Sequence, residues 1–237
     1  HIAIETTFGN LRYFKRLPEG TECAVATSKV INLSDVFGDS DQTNKFVTRY
    51  LQSTHCDLFF ADAAILVEGV AESMLLPHFI RSKFPELYQR YITILGVNGR
   101  HAHRLSPLIE KLCLPTLVIT DLDPAEKEGY HKSVVLKRGE GQISGNYAIA
   151  KWLMKEKDID KLVDYSEDKK EFSFASPYRF SIRLAYQTPV KVDFEGEEKE
   201  AIPGTFEDCL IYTNYDLFKK IKVTDSGNLV EQTHDLL

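Results

Sequence analysis

Two apolar runs in this sequence end in acidic residues whose type and spacing suit metal chemistry. Glu68 closes the run "AAILVE" and Glu72 follows four positions later, while Asp121 and Asp123 close the run "TLVITDLD". Carboxylates gathered in a partly desolvated cleft repel one another strongly unless cations neutralise them. Hard oxygen ligands of this kind suit Mg²⁺ or Mn²⁺, which leave coordination positions open for water and phosphate. The acids therefore predict a divalent-metal site that acts on phosphate groups.

Each acid taken alone also has an ordinary structural interpretation. Glu68 could favour a helix N-terminus, Glu72 could be a solvated acid on a helix face, and "DLDP" could be an Asp-rich turn. Glu68 and Glu72 would share a face if the helix begins near Glu68, and the two aspartates would point to one side if strand geometry continues. Gly69 is expected to be the small residue that lets the chain turn sharply into the helix. The joint occurrence of both acidic sets at strand ends favours the metal site.

The elements that must position these acids alternate between strands and helices. Apolar runs that predict strands are separated by segments that predict helices, in the order "AAILVEG", "VAESMLLPHFIRSKF", "YITILGVNG", "LSPLIEKLCL" and "PTLVITDLD". This alternation indicates βαβ units and a parallel sheet buried on both faces. Ligands of such sheets gather at the carboxyl ends of the strands, where the sequence places Glu68, Asn98, Asp121 and Asp123. The predicted fold class is α/β.

The flanking segments predict further elements. Short strands are expected in "LRYFKRL", "ECAVAT" and "KVINLSDV", followed by a connecting helix in "DSDQTNKFVTRYLQS". After the Asp-x-Asp run we expect one helix in "ISGNYAIAKWLMKEKDIDKLVDYS" and a hairpin with its turn near Glu195-Gly196. A last helix is predicted in "TFEDCLIYTNYDLFKKIK", before a polar end.

Composition narrows the class of protein. The 237 residues are 43% hydrophobic and 27% charged, as in ordinary globular proteins, and no apolar run approaches the roughly 18 residues of a membrane span. The four cysteines form no CxxC pair, which argues against a structural zinc site and suits a reducing, cytoplasmic setting. The net charge of −6 counts mildly against general nucleic-acid binding. Because the sequence starts at His1 without a signal-peptide pattern, we expect an excerpt of a longer polypeptide.

Three blocks resemble the carboxyl-terminal half of OLD-family (overcoming lysogenisation defect) nucleases. They are "DLFFADAAILVEGVAE", "GVNGRHAHRLSPLIEKLCLPTLVITDLDP" and "PGTFEDCLIYTN", which occur in the family's order over roughly residues 55 to 220. The resemblance implies a Toprim fold, a central, mostly parallel sheet flanked by helices, with a helical insertion at about 144–187. It also implies that 1–54 closes a preceding ABC-type ATPase domain, that 55–225 forms the Toprim nuclease domain, and that 226–237 is a tail.

The same resemblance implies roles for individual residues. The metal ligands it implies are Glu68, Glu72, Asp121, Asp123 and, on the last helix in preference to Asp208, Glu207. Polar blocks that shape the site match Asn98, Gly99, Ser144 and Asn146. A late catalytic lysine is expected, for which the candidates are Lys219 and Lys220. Independently of the family, the basic stretch "RHAHR" offers Arg100 and Arg104 as contacts to the DNA backbone.

The expected activity is metal-dependent DNA endonuclease action with two Mg²⁺ or Mn²⁺ ions, one activating water and the other stabilising the leaving oxygen. Glu68 could be a ligand or the general base. ATP would act only through a domain outside this chain, and the resemblance implies a homo-oligomer, a helicase-like partner and a role in phage defence. No membrane partner is expected.

Two other functions compete with this interpretation. "TLVITDLDP" resembles the motif of haloacid-dehalogenase-like phosphatases, whose first aspartate is a nucleophile. In those enzymes the motif opens the domain and a Gly-Thr or similar pair follows, whereas Pro124-Ala125 follows here. The second alternative is a Toprim module that binds DNA or a partner without catalysis.

Overall fold

The structure, a computed structural model, describes residues 10–17, 19, 24–34, 36, 56–97, 101–127, 134–175, 178–194 and 196–218. The predicted connecting helix and the polar end lie outside them.

The described elements alternate strands and helices in the order that the sequence predicts around the acids. The strands are β1 (Arg12–Leu17), β2 (Thr27–Asn32), β3 (Ala63–Val67), β4 (Ile92–Gly96), β5 (Thr116–Ile119), β6 (Pro124–Ala125), β7 (Ile143–Ser144), β8 (Glu171–Phe174), β9 (Phe180–Ala185), β10 (Val190–Phe194) and β11 (Glu197–Ala201). The α-helices are α1 (Val70–Lys83), α2 (Pro85–Tyr88), α3 (Ser106–Leu112), α4 (Ile159–Val163), α5 (Phe206–Thr213) and α6 (Tyr215–Phe218). Three 3₁₀ turns (Cys56–Phe59, Ala102–Leu105, Glu167–Lys170) and a π-helical turn (Ala148–Trp152) complete the set.

The chain falls into two compact units. The first draws on residues 1–118 and 171–183, and the second on residues 119–170 and 184–237. The division falls within β5 and β9.

A five-stranded sheet organises the first unit, with the strand order β4-β3-β5-β9-β8. β3 runs parallel to both β4 and β5, and Leu66 lies opposite Leu95 on one side and Val118 on the other. These three side chains are fully buried, as expected for strands covered on both faces. β8 pairs with β9 antiparallel, and α1 contacts β4. The predicted α/β fold with a mostly parallel central sheet is confirmed.

Charges at the helix ends of the first unit follow the helix dipole. α1 carries Glu72 in its first turn and Arg81 and Lys83 in its last, the arrangement that the aligned peptide dipoles favour. α3 ends at Cys113, whose φ is +49°. Lys15 Nζ from β1 donates to Leu112 O at 2.8 Å and to Cys113 O at 3.1 Å. A cation thus satisfies carbonyls that the helix end leaves without intrahelical partners.

β1 and β2 form a separate antiparallel ribbon in which Phe14 lies opposite Val30. The predictions of strands in "LRYFKRL" and "KVINLSDV" are therefore confirmed, with small shifts in their bounds. The strand expected in "ECAVAT" falls partly outside the described residues, and residues 24–26, which are described, are not a strand.

The single helix predicted for residues 143–166 is wrong. The second unit instead has β7, the π-helical turn and α4 in this segment. Ser144 N donates to Lys157 O at 2.7 Å, and the side-chain oxygen of Asn146 accepts from Ala148 N at 2.9 Å. Asp158 then caps α4 by accepting from Lys161 N. Short polar side chains that bond the backbone offer an alternative to helical bonding, so they divide the segment.

The predicted insertion at about 144–187 contains these short helical elements together with β8 and β9. The hairpin that follows is as predicted: β10 pairs with β11 antiparallel, and Gly196 in its turn has φ +85°, a conformation that glycine adopts without steric cost. The predicted last helix is divided at Asn214 into α5 and α6. Asn214 is the C-cap of α5, and its side-chain Nδ2 donates to Leu210 O at 2.8 Å. No helix among the described residues is long and apolar enough to cross a bilayer.

Candidate functional site

Glu68 and Glu72 lie at the carboxyl end of β3 in the first unit. Glu68 follows the strand directly and is half-buried. Glu72 occupies the first turn of α1 and is only 3% exposed. Its Oε2 atom is enclosed and meets no hydrogen-bond donor among the described residues. Glu72 is therefore not the solvated helix-face acid that its sequence position alone would suggest.

Gly69 makes room for the Glu72 carboxylate. A Cβ atom at position 69 would lie 2.5 Å from Glu72 Oε2, so the Glu72 side chain would have to shift. The backbone of Gly69, with φ −114° and ψ 173°, is extended and open to any residue. Gly69 lies between the end of β3 at Val67 and the start of α1 at Val70, as predicted, and the structure adds that the Glu72 carboxylate approaches it closely.

An enclosed carboxylate oxygen without a donor suits a cation. Leaving a buried acceptor unsatisfied costs about 1–3 kcal/mol, and more for a charged group. A divalent ion bound to Oε2 would offset that cost, and a carboxylate is the oxygen ligand that Mg²⁺ and Mn²⁺ take. Glu72 Oε2 could thus serve as one ligand of a metal ion.

Asp121 and Leu122 are held by one side chain in the second unit. The buried amide of Gln187 donates through Nε2 to Asp121 Oδ1, and its Oε1 accepts from Leu122 N at 3.0 Å. Thr120 N donates to Ala185 O at 3.0 Å, which aligns the two segments. Gln187 was not predicted as a functional residue, since neither β9 nor its pairing was visible in the sequence pattern.

Asp123 is held by a second amide. Asn146 Nδ2 donates to Thr120 Oγ1 at 2.8 Å and lies 3.3 Å from Asp123 Oδ2. Asn146 is 0% exposed, and its backbone N–H donates to Ser144 Oγ, also buried, at 3.1 Å. Ser144 and Asn146 were predicted to shape the substrate site, and the structure brings them together with Asp123.

The condition that strand geometry continues through the Asp-x-Asp run is not met. β5 ends at Ile119, and Asp123 has φ +48°, a left-handed conformation that aspartate tolerates better than most residues. Each aspartate is contacted by an amide, Asp121 by Gln187 and Asp123 by Asn146, and the two do not follow the alternation of a strand.

A cleft of about 1030 Å³ lies within the second unit beside Asp123. Lys127, Lys137, Thr205 and Asp208 are among the residues that line it. Asp208 closes a capping box with Thr205, since its carboxylate accepts from Thr205 N at 3.1 Å and its N–H donates to Thr205 Oγ1 at 3.2 Å. Glu207, the predicted ligand on this helix, is exposed and does not line the cleft.

Arg104 belongs to the 3₁₀ turn Ala102–Leu105 of the first unit and is half-buried. Burial, with a smaller contribution from the Arg104 charge, lowers the pKa of His101. The predicted site residues Asn98, Gly99, Arg100, Lys219 and Lys220 lie outside the described residues. Within the described ranges, no group of three or more His, Cys, Asp or Glu side chains is arranged to hold a metal ion.

Comparison with known proteins shows what part of the chain is similar to. Residues 59–123, which run from the start of the β3 region through both aspartates, match the family described as "Overcoming lysogenization defect protein-like, TOPRIM domain". Over these residues the chain is similar to OLD-like Toprim domains. The resemblance seen in the sequence blocks is thereby confirmed.

One curated relative is similar over most of the chain. It is "Endonuclease GajA" of Bacillus cereus (strain HuB5-5), which is 27% identical over 201 residues. The alignment covers 82% of this chain and 27% of the relative. The chain therefore spans about a quarter of the length of the protein it matches, with the Toprim domain inside the aligned part.

Proposed function

We propose that this chain is the nuclease part of a larger protein and hydrolyses DNA phosphodiester bonds with two Mg²⁺ or Mn²⁺ ions. The OLD-like Toprim match and the similarity to a protein named as an endonuclease support this proposal. DNA is the proposed substrate.

The enclosed Glu72 oxygen is the observation that carries the proposal. A buried carboxylate with an oxygen that meets no donor in the described residues is costly unless a cation binds it. A Cβ added at position 69 would lie 2.5 Å from that oxygen, so the glycine leaves room for it. A carboxylate kept only for helix capping would instead face solvent or a backbone N–H.

The proposed ligands are the predicted acids, namely Glu68, Glu72, Asp121, Asp123 and Glu207. Bound ions would lower the pKa of a water molecule and stabilise the leaving oxygen of an in-line displacement. Gln187 contacts Asp121 and Asn146 contacts Asp123 before any ion binds. Each amide would orient its own aspartate, which reduces the reorganisation needed during the reaction. Glu68 serves as a ligand or as the base that accepts the proton of the attacking water. The late lysine is proposed to be Lys219 or Lys220, and Asn98, Gly99, Arg100 and Arg104 to contact substrate.

The larger setting is proposed from the family resemblance. An ABC-type ATPase domain would precede the Toprim domain and couple ATP to cleavage, in a cytoplasmic homo-oligomer. A helicase-like partner and a role in phage defence belong to the same proposal.

Plasmid cleavage tests the proposal directly. Supercoiled DNA incubated with the purified protein and Mn²⁺ should be nicked or linearised, and EDTA should abolish the activity. Glu68→Ala and Asp121→Ala should each remove it, whereas Glu86→Ala, an exposed acid on α2, should not. Equal cleavage by wild type and both site variants, or activity that persists in chelator, would show that the nuclease site lies elsewhere.

A phosphoryl analogue distinguishes the metal-dependent nuclease from the phosphatase alternative. If Asp121 were a nucleophile, an aspartyl-phosphate mimic would form on it and mass spectrometry would detect the adduct. Cleavage of DNA without any adduct supports the metal-dependent nuclease. DNA binding without cleavage under every metal condition would favour the non-catalytic module.

A further inference from the structure

Gln187 is a buried polar residue that no sequence motif singles out, and it forms two hydrogen bonds to consecutive residues of the Asp-x-Asp segment. Its side chain is 7% exposed. It accepts from Leu122 N at 3.0 Å and donates to the Asp121 carboxylate. Both bonds span more than sixty positions of sequence and lie within the second unit.

The orientation of this amide is determined by its partners. The backbone N–H of Leu122 can only donate, so the Gln187 oxygen must face it. The NH₂ group is then turned toward Asp121, and an ionised carboxylate can only accept. The reversed amide would place two oxygens against each other and an N–H against an N–H. Gln187 therefore presents a donor to Asp121 in a fixed direction.

The Leu122 bond also makes the arrangement stiff. Leu122 is fully buried, so its N–H needs an acceptor that water cannot supply. Because Thr120 N is bonded to Ala185 O, Gln187 lies two residues beyond a fixed backbone pairing. The amide is thus anchored at its backbone and at its oxygen, and only its nitrogen is left for Asp121.

We infer that Gln187 is a positioning residue for metal binding, which fixes the direction of the Asp121 carboxylate; this inference rests on the proposed function. By holding Oδ1, the amide determines where Oδ2 points before an ion is present. Hydrogen-bond partners of metal-binding carboxylates typically contribute 10–100-fold to metal affinity or activity. The Gln187 amide supplies that contribution for Asp121.

Gln142 provides a matched control in the same unit. It is also a buried glutamine, 6% exposed, and it also makes two bonds, accepting from Lys137 N at 3.0 Å and donating to Val135 O at 2.8 Å. Both of its partners are backbone groups and neither is a proposed ligand. Gln142→Met and Gln187→Met therefore remove the same groups at similar burial.

The test measures Mn²⁺ binding to the protein without DNA, by calorimetry or by the electron paramagnetic resonance of free Mn²⁺. Gln187→Met should weaken Mn²⁺ binding by roughly 10–100-fold and lower kcat for plasmid cleavage with little change in KM. Gln142→Met should lose similar thermal stability and keep its Mn²⁺ affinity within about threefold. In an Asp121→Asn background, Gln187→Met should have no further effect on Mn²⁺ affinity.

Gln187→Asn guards against a variant that fails to fold. Its shorter amide cannot span both partners but leaves less empty space, so its Mn²⁺ affinity should fall between those of wild type and Gln187→Met. Wild-type affinity in both Gln187 variants, or equal losses for Gln187→Met and Gln142→Met, would overturn the inference. If wild type binds Mn²⁺ and cuts no DNA, the proposed function fails, while a selective loss of binding in Gln187→Met still supports the positioning role.

Discussion

The two acidic sets are held in opposite ways. In the first unit, Glu72 is enclosed by packing, and its Oε2 meets no donor in the described residues. In the second unit, Asp121 and Asp123 are each held by an amide, from Gln187 and Asn146 respectively. Burial destabilises an ionised carboxylate, whereas donated hydrogen bonds stabilise it. At Glu72, an ion would offset the free-energy cost of a buried carboxylate oxygen that has no donor within the described part of the chain. At Asp121 and Asp123, the amides orient the carboxylates before an ion binds.

This difference has a consequence for stability. Removing charge from Glu72 should relieve an unfavourable burial, whereas removing Gln187 or Asn146 should leave buried groups without partners. Functional sites often contain a locally unfavourable group that the surrounding fold holds in place. They also contain groups that neighbouring residues orient in advance. The following variants separate the two kinds of position.

The largest effect is expected for Asp121→Asn. The variant keeps an oxygen that can accept from Gln187 and removes only the negative charge. Loss of a metal ligand worth about 4 kcal/mol in the transition state lowers the cleavage rate on the order of 10³-fold. The rate should be measured on supercoiled plasmid with saturating Mn²⁺, and the melting temperature should change little. A rate within tenfold of wild type would contradict the role of Asp121 as a ligand.

Gly69→Ala should be the most destabilising change near Glu72. Its Cβ would lie 2.5 Å from Glu72 Oε2, and forcing extra volume into a packed site costs roughly 1–3 kcal/mol. The free energy of unfolding from urea denaturation measures the loss. Since the contact is with the carboxylate, the same substitution in a Glu72→Ala background should cost much less. An equal cost in both backgrounds would mean that the glycine serves its backbone conformation instead.

Glu72→Gln distinguishes a metal ligand from a structural acid. Without divalent ions, a neutral amide is cheaper to bury than a carboxylate, so the variant should be more stable than wild type by about 1 kcal/mol. Mn²⁺ should raise the melting temperature of wild type more than that of the variant, because an ion that binds only the folded state stabilises it. A less stable variant with an unchanged response to Mn²⁺ would assign Glu72 a structural role.

The smallest effects are expected for the two neighbouring acids of α5, Glu207 and Asp208, whose roles differ. Asp208→Ala removes the capping box with Thr205 and should cost roughly 0.5–1 kcal/mol while cleavage is maintained. Glu207→Ala, at an exposed position, should leave stability unchanged and lower Mn²⁺ affinity. Thermal unfolding and Mn²⁺ titration of both variants provide the comparison. The reverse result would exchange the two roles.

The sequence was sufficient for the elements that carry the acids. The alternating strand and helix patterns correctly predicted five elements, namely β3, α1, β4, α3 and β5. For each of them, the apolar periodicity and the length of the segment indicate the same type of secondary structure. The segment after β7 was predicted less well, since Ser144, Asn146 and Asp158 bond the backbone locally and divide a stretch whose composition favours a helix. Such bonds depend on side-chain direction, which periodicity does not record.

The site shows the same limit. The chain positions of Glu68 and Asp121 after strands followed from the pattern, but the burial of Glu72 and its close approach to Gly69 did not. Gln187 escaped prediction because its partners are 65 and 66 positions earlier in the chain, and only the pairing of Thr120 with Ala185 brings them together. Long-range pairing of this kind is set by the tertiary fold rather than by local sequence.

The contact between Lys15 of β1 and the end of α3 bears on where the chain should be cut to make expression fragments. The family resemblance suggests a boundary after residue 54, yet Lys15 bonds the last carbonyls of α3, the helix that leads into β5. A fragment that starts at residue 55 would expose those carbonyls and lose a charged contact at the helix end. Expression fragments that keep the β1–β2 ribbon should therefore be more stable than fragments cut at the edge of the family resemblance.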